Sequence, residues 1–179
     1  MAKKRKKSKG ISLISLVVVL FVIVGAALAF TGLFLDWTAV YTESELVDKS
    51  SVDGEMTLED WSETNDLKGE LGGEVKYFTV TNLFAWVAAA AVAAAAVLFV
   101  LKLIIRLRLL STLGGIAGII GLLSAALALV FTFLMCKEMG SVDAGELVKS
   151  QVLPAVGCYL LLAGGVVGGG AAIAGAIKK

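Results

Sequence analysis

"ISLISLVVVLFVIVGAALAFTGLFL", residues 11–35, runs for 25 residues without a charged side chain. A helix rises 1.5 Å per residue, so about 20 apolar residues cross a hydrocarbon core of about 30 Å, and this stretch is long enough for one span. Outward from it, three more windows lack Asp, Glu, Lys and Arg altogether: Tyr77–Leu101, Leu109–Cys136 and Ser150–Ile177. The chain has 179 residues and is 58% hydrophobic, above the near-half of ordinary soluble domains. A closed β-barrel, the other way to cross a bilayer, needs alternating segments of roughly ten residues, and none is present. The sequence therefore predicts an all-α membrane protein, a four-transmembrane-helix bundle.

Charge orients the spans, because short cytoplasmic loops are rich in Lys and Arg. "KKRKKSK" precedes the first window, Lys102, Arg106 and Arg108 separate the second from the third, and Lys178 and Lys179 follow the fourth. These eleven bases share their side with no acid, while all fifteen acids fall in the other two connections beside Lys49, Lys68, Lys76, Lys137 and Lys149. The formal net charge of +1 thus hides a strong polarity. Both termini are expected in the cytoplasm of a plasma-membrane protein. The segments are a basic tail at 1–10, spans at 11–35, 77–101, 109–136 and 151–177, a basic inner loop at 102–108, and extracytoplasmic loops at 36–76 and 137–150. The basic start, the apolar run and Ala27-Leu28-Ala29 also have the form of a cleavable secretory signal. The run continues to Asp36, however, and that makes a full span.

The first outer loop is expected to hold a small α/β structure. "WTAVYT", 37–42, is β-branched and aromatic and reads as a strand, "DKSSVDG", 48–54, as a turn, and "EVKYFTVT", 74–81, as a second strand leading into span two. Thr57 and Asp60 have the spacing of a capping box, which would start a helix with Leu58, Trp61 and Asn65 on one face and its end at Gly69. Trp37, Tyr41, Trp61 and Tyr77 are the expected anchors of this loop on the helix ends. The second outer loop is short enough to serve as a plain connection, with Pro154 in the first turn of the fourth helix.

Inside the spans the informative residues are small. Gly114 and Gly118, Gly164 and Gly168, and Gly165 and Gly169 each stand four apart, Ala171 and Gly175 continue the pattern, and Gly121 lies on the same helix as the first pair. Lipid offers helices little hydrophobic reason to associate, so close backbone approach must hold them together, and small residues permit it. These faces are expected to pack within the bundle, with a homo-oligomer or another membrane protein as the alternative. No charged side chain occupies the middle of a span, which argues against a proton pump or an ion-coupled carrier. Ser111, Ser124 and Thr132 could line a pore built by oligomerisation, but local bonds to the preceding helical turn are the expected role of such hydroxyls.

The chain has no histidine, which removes imidazole metal clusters and Ser-His-Asp chemistry. Cys136 and Cys158, placed at different depths in spans three and four, are expected to be separate buried thiols. "VDGEMTLEDWSETND", 52–66, invites a calcium reading, with Asp48 and Glu59 at the first and twelfth positions of an EF-hand loop. Asp53 occupies the position that requires glycine, so that pattern fails. Asp48, Asp53, Glu55, Glu59, Asp60 and Glu63 remain weak metal candidates beside the expected role of a solvated acidic face. No cofactor motif is present and no enzymatic activity is expected. The six bases of the tail orient the first span and could touch anionic lipid; nucleic acid is not an expected partner.

The layout, with "GLFLDW" at Gly32–Trp37 closing the first span, resembles the claudin and peripheral-myelin-protein superfamily, without that family's loop cysteines. It is equally similar to small bacterial four-span proteins in which an "FLxW" stretch ends the first helix. The claudin resemblance implies a left-handed four-helix bundle topped by a small sheet, acting through lateral or face-to-face contacts. The expected function is a structural or accessory interaction subunit working through the acidic loop and the small-residue faces. A pore-forming or transporter-accessory subunit with an acidic vestibule is the alternative.

Overall fold

The computed structural model describes residues 13–44, 49–70, 77–105, 107–139, 142–143 and 148–177. Helix α1 covers Leu13–Phe34, α2 Leu58–Glu70, α3 Phe78–Ile105, α4 Arg108–Met139 and α5 Val156–Ile177. All but α2 are long and apolar enough to cross a membrane, as in a multi-pass membrane protein. The strands are β1, Thr38–Ser44, β2, Lys49–Met56, β3, Val142–Asp143, and β4, Val148–Pro154, in one antiparallel sheet of order β2-β1-β4-β3.

The sheet differs from the expected loop structure in where its strands originate. β1 lies where aromatic and β-branched residues predict it, but its partner in the same loop is the segment read as a turn. "KSSVDGEM" has weak strand propensity and is extended because β1 supplies a ladder, from Thr38 opposite Met56 to Ser44 opposite Lys49. The expected strand at 74–81 does not form in its described part. Tyr77 adopts φ 63° in a turn, and Phe78 opens α3, with Phe78, Thr81 and Ala85 buried at helical spacing. Residues 74–76 lie outside the described residues. The period of that buried face, longer than two residues, is what decides for a helix.

The second connection is likewise more than a link. It carries β3 and β4, and β4 pairs with β1 from Thr38 opposite Pro154 to Ser44 opposite Val148. The fourth long helix therefore starts at Val156, five residues after the start expected from the absence of charge. Pro154 ends the strand rather than opening the helix, and the ring of a proline disfavours helical backbone in the residue before it, which keeps Leu153 extended.

This topology joins strands to helices without slack. β1 continues α1 after three residues, and β4 enters α5 through Ala155 alone. Between them the Gly157 amide donates to the Asp36 carbonyl at 2.8 Å, and the Ala155 amide to the Trp37 carbonyl at 2.8 Å. One of the unpaired amides in the first turn of α5 is thus satisfied by chain leaving α1. Buried side chains form two clusters. One, at the sheet end, includes Trp37, Leu58, Trp61, Phe78, Met135 and Leu161; the other, toward the far end, includes Val19, Val22, Ala95, Phe99 and Ala172.

Proline at Thr42 should remove an amide from the central strand, which has neighbours on both sides. Hydrogen exchange is expected to accelerate on β2 and β4 together while the four long helices keep their protection. Acceleration on β2 alone would show that the helices hold β4 without β1.

Candidate functional site

Two regions carry the chemistry of this chain: the seams between the long helices and the acidic cap at the sheet end. The tightest seam joins α1 and α5. A Cβ added at Gly25 would lie 2.2 Å from the Gly168 nitrogen, one at Gly164 2.4 Å from the Ala29 nitrogen, and one at Gly32 2.6 Å from the Gly157 carbonyl oxygen. The obstacles are backbone atoms, which no rotamer change can move aside. Gly25, Ala29 and Gly32 were not among the expected packing residues, because span one looks uniformly bulky. Their spacing of four and three along a helix is the signal that would have found them.

The other seams are also small residues against neighbouring helices. Gly118 and Gly169 face each other across α4 and α5, a Cβ on Gly169 lying 2.6 Å from the Gly118 oxygen. A Cβ added at Gly165 would lie 2.8 Å from the Ala125 methyl, and one at Gly121 2.6 Å from the Val92 side chain. An added Cβ would lie 2.7 Å from the Phe99 ring at Gly114, and 2.6 Å from Val18 and 2.7 Å from Phe99 at Gly175. One added at Gly168 would lie 2.6 Å from Val92 and 3.1 Å from the Gly25 Cα. Through Gly165–Gly169 α5 winds as a π-helix, a local widening at the point where it touches three other helices.

Of the hydroxyls, Thr132 bonds the Ala128 carbonyl in its own helix at 2.8 Å, and Ser124 is buried on α4. Ser111 departs from the expected local bond: it donates across to the Gly175 carbonyl of α5 at 3.0 Å. Lys102, expected in the loop between spans, belongs to the last turn of α3, where its Nζ donates to Ser111 Oγ at 2.7 Å. The helix runs four residues past the uncharged window because a lysine stem packs along apolar surface while its head reaches polar groups.

At the sheet end the two loop tryptophans are buried. Trp37 Nε1 donates to the Gly32 carbonyl at 2.8 Å, satisfying one of the carbonyls left open at the end of α1, and Trp61 Nε1 donates to Thr38 Oγ1 at 2.8 Å. Tyr41 is half-buried on β1, and the Tyr77 ring stacks on Phe131 with centroids 6.1 Å apart. Cys158 stands in the first turn of α5 and Cys136 in the last turn of α4, so the expected difference in depth is not what separates them. Both are buried free thiols.

Asp48 lies outside the described residues, and Asp53 is on β2. Glu55, Glu59, Asp60 and Glu63 are exposed along the end of β2 and on α2. Among the described residues no three His, Cys, Asp or Glu side chains converge as a metal site. Asp60 is engaged elsewhere. Its Oδ2 accepts from the Thr57 amide and the Thr57 hydroxyl, both at 2.8 Å, and the Asp60 amide returns a bond to Thr57 Oγ1 at 3.2 Å. This capping box starts α2 and turns Leu58 and Trp61 inward against the bundle. The backbone and then the side-chain bond from Thr57 hold the Asp60 carboxyl below the ordinary aspartate range.

The sequence matches no protein-family model and no curated protein. Function is therefore argued from the seams and the cap.

Alanine at Gly25 should cost at or above the roughly 1–3 kcal/mol of an overpacked core, whereas alanine at Gly170, where an added Cβ meets nothing within 4 Å, should be neutral or stabilising by about 0.4–1 kcal/mol. Thermal unfolding in nanodiscs compares them. A second outcome concerns pH. A carboxyl whose folded pKa is depressed contributes stability above its unfolded pKa, near 3.9, and loses it as pH falls through the folded value. Amide protection of α2 should therefore fall on acidification below about pH 4, a step that Asp60→Asn removes while keeping an oxygen for the cap.

Proposed function

We propose that the protein is a non-enzymatic four-span membrane protein, a structural or accessory subunit that recognises a partner through its acidic cap. In this arrangement both termini are cytoplasmic and the sheet and α2 lie outside the plasma membrane. Charge supports the orientation. Eleven bases and no acid lie in the tail, in the α3–α4 turn and after α5, against fifteen acids and five lysines in the two segments that build the cap. Tyr77 and Tyr159, exposed near the sheet end of their helices, suit the water–lipid interface there.

The observation that carries the proposal is the closure of the glycine seams within one chain. Each glycine of the candidate set presses on another helix of the same molecule, so the small-residue faces are already occupied. Trp37, Phe99, Met135, Leu161, Val22 and Val92 are fully buried in the interior of a single copy, which weighs against the vestibule-and-pore alternative. Recognition then falls to the polar surface, where Glu55, Glu59 and Glu63 are exposed and free of the capping role of Asp60. Lateral or face-to-face contact, the mode implied by the claudin-like layout, fits a rigid cap on a closed bundle. The partner is another membrane protein or a second copy.

Mild cross-linking in native membranes tests this. The full chain should be recovered in an adduct larger than the monomer, and replacing Glu55, Glu59 and Glu63 by Gln should reduce that adduct several-fold. Recovery of monomer alone would overturn the proposal, and a ring of identical copies that conducts ions would favour the pore.

A further inference from the structure

At the end of the bundle away from the sheet, α3 ends, α4 begins and α5 ends. Lys102 does not extend out of this end but lies across it. Its Nζ is 2.7 Å from Ser111 Oγ, 3.4 Å from the Gly175 carbonyl oxygen and 5.1 Å from the centre of the Phe99 ring. The Ser111 proton is used on Gly175, so Ser111 meets the ammonium as an acceptor. An ammonium has three N–H donors. Two point at neutral oxygens here, which solvate the charge without neutralising it, and the third has no protein acceptor among the described residues.

No Asp or Glu side chain lies near Lys102 among the described residues. The chain has no acid before Asp36, none from Tyr77 to Lys137 and none after Lys149, so every Asp and Glu belongs to the segments at the sheet end. Arg108, exposed at the first position of α4, adds a second cation with no Asp or Glu partner among the described residues. Arg106 lies between them in sequence, and Lys178 and Lys179 follow the last described residue of α5. A partly buried cation without a counter-charge is costly, and an anion supplied from outside the protein relieves that cost.

The surroundings narrow the choice of anion. Ile104, Ile105, Leu107 and Leu109 flank the two cations and are each more than half exposed. Cationic donors rimmed by apolar side chains suit an anion that carries hydrocarbon. We propose that the Lys102–Arg108 corner binds the phosphate headgroup of an anionic phospholipid, with the isoleucines and leucines of the α3–α4 turn against its acyl chains. This surface lies at the end of the bundle opposite the acidic cap. It rests on the reading of the four helices as membrane spans.

The full chain is reconstituted in nanodiscs of phosphatidylcholine with or without phosphatidylglycerol, and co-purifying lipid is counted by native mass spectrometry. The protein should retain phosphatidylglycerol in preference to phosphatidylcholine. Arg108→Gln and Lys102→Gln should each reduce that preference by about fivefold, the effect of one surface cation on an anionic lipid. A variant with all six tail bases replaced by Gln should keep the preference. Because Lys102 also bridges three helices, Arg108→Gln decides the matter if Lys102→Gln lowers the thermal midpoint in phosphatidylcholine alone. Equal retention of the two lipids, or a preference that disappears with the tail and survives Arg108→Gln, overturns the proposal. So does inorganic phosphate, if it raises the midpoint in phosphatidylcholine as much as phosphatidylglycerol does, since the ligand would then be the free ion. A chain that fails to enter the nanodiscs overturns the spanning reading and this proposal with it, whereas entry without lipid preference overturns this proposal alone.

Discussion

The backbone of α1 lies directly on the backbone of α5, and the rest of the molecule is arranged around that contact. It starts where Gly25 meets Gly168, passes through Ala29 against Gly164 and Gly32 against Gly157, and leaves the helices without interruption. Asp36 and Trp37 accept from Gly157 and Ala155, and the β1–β4 ladder carries the pairing on to Ser44 opposite Val148. Side-chain packing holds the helical part and hydrogen bonds the strand part. Both depend on a separation that only hydrogen at Cα allows on the helices.

That continuity explains why the cap is built from two loops. Once α1 and α5 are fixed side by side, the chain leaving one and the chain entering the other emerge as antiparallel neighbours, which is the geometry a ladder requires. β2 is then templated on the far side of β1, and the Thr57–Asp60 box brings α2 back so that Trp61 reaches Thr38. Trp37 reinforces the junction from within by bonding Gly32, a residue of the seam itself. The acidic surface is thus carried on elements tied to the bundle at several points. Glu55, Glu59 and Glu63 project from that support.

The two ends of the bundle solve opposite electrostatic problems. At the sheet end the exposed carboxylates repel one another but remain in water, where screening makes this cheap. At the other end Lys102 is drawn across the helix ends by two neutral oxygens and an aromatic face, with no acid on its side of the chain. In the proposed arrangement this partition suits oppositely charged partners at the two ends, a protein surface at the sheet end and a lipid headgroup at the other.

What could be read from the residues alone follows from which physical rules are local. The length and apolarity of four segments, the side preference of the charges and the Thr57–Asp60 cap each depend on neighbours within a turn or two, and the helices and the start of α2 stand where those rules place them. The strand at β1 was legible for the same reason. The identity of its partners was not, because "KSSVDGEM" and the residues before Pro154 are extended only by pairing with a segment far away in sequence. Nor did the sequence reveal that Gly25 and Gly32 are the other half of the α5 seam, since their spacing with Ala29 marks one face of a helix without naming the helix that face meets. Ser111 and Lys102 looked like a local hydroxyl and a loop cation, and became a bridge between three helices only when α5 ended beside them. The sequence by itself determined four helices long and apolar enough to span a membrane and the polarity of charge along the chain, because length, apolarity and charge are properties of each segment separately. Tertiary structure alone decided the sheet, the seam and the cation corner, because each of these requires two segments to meet.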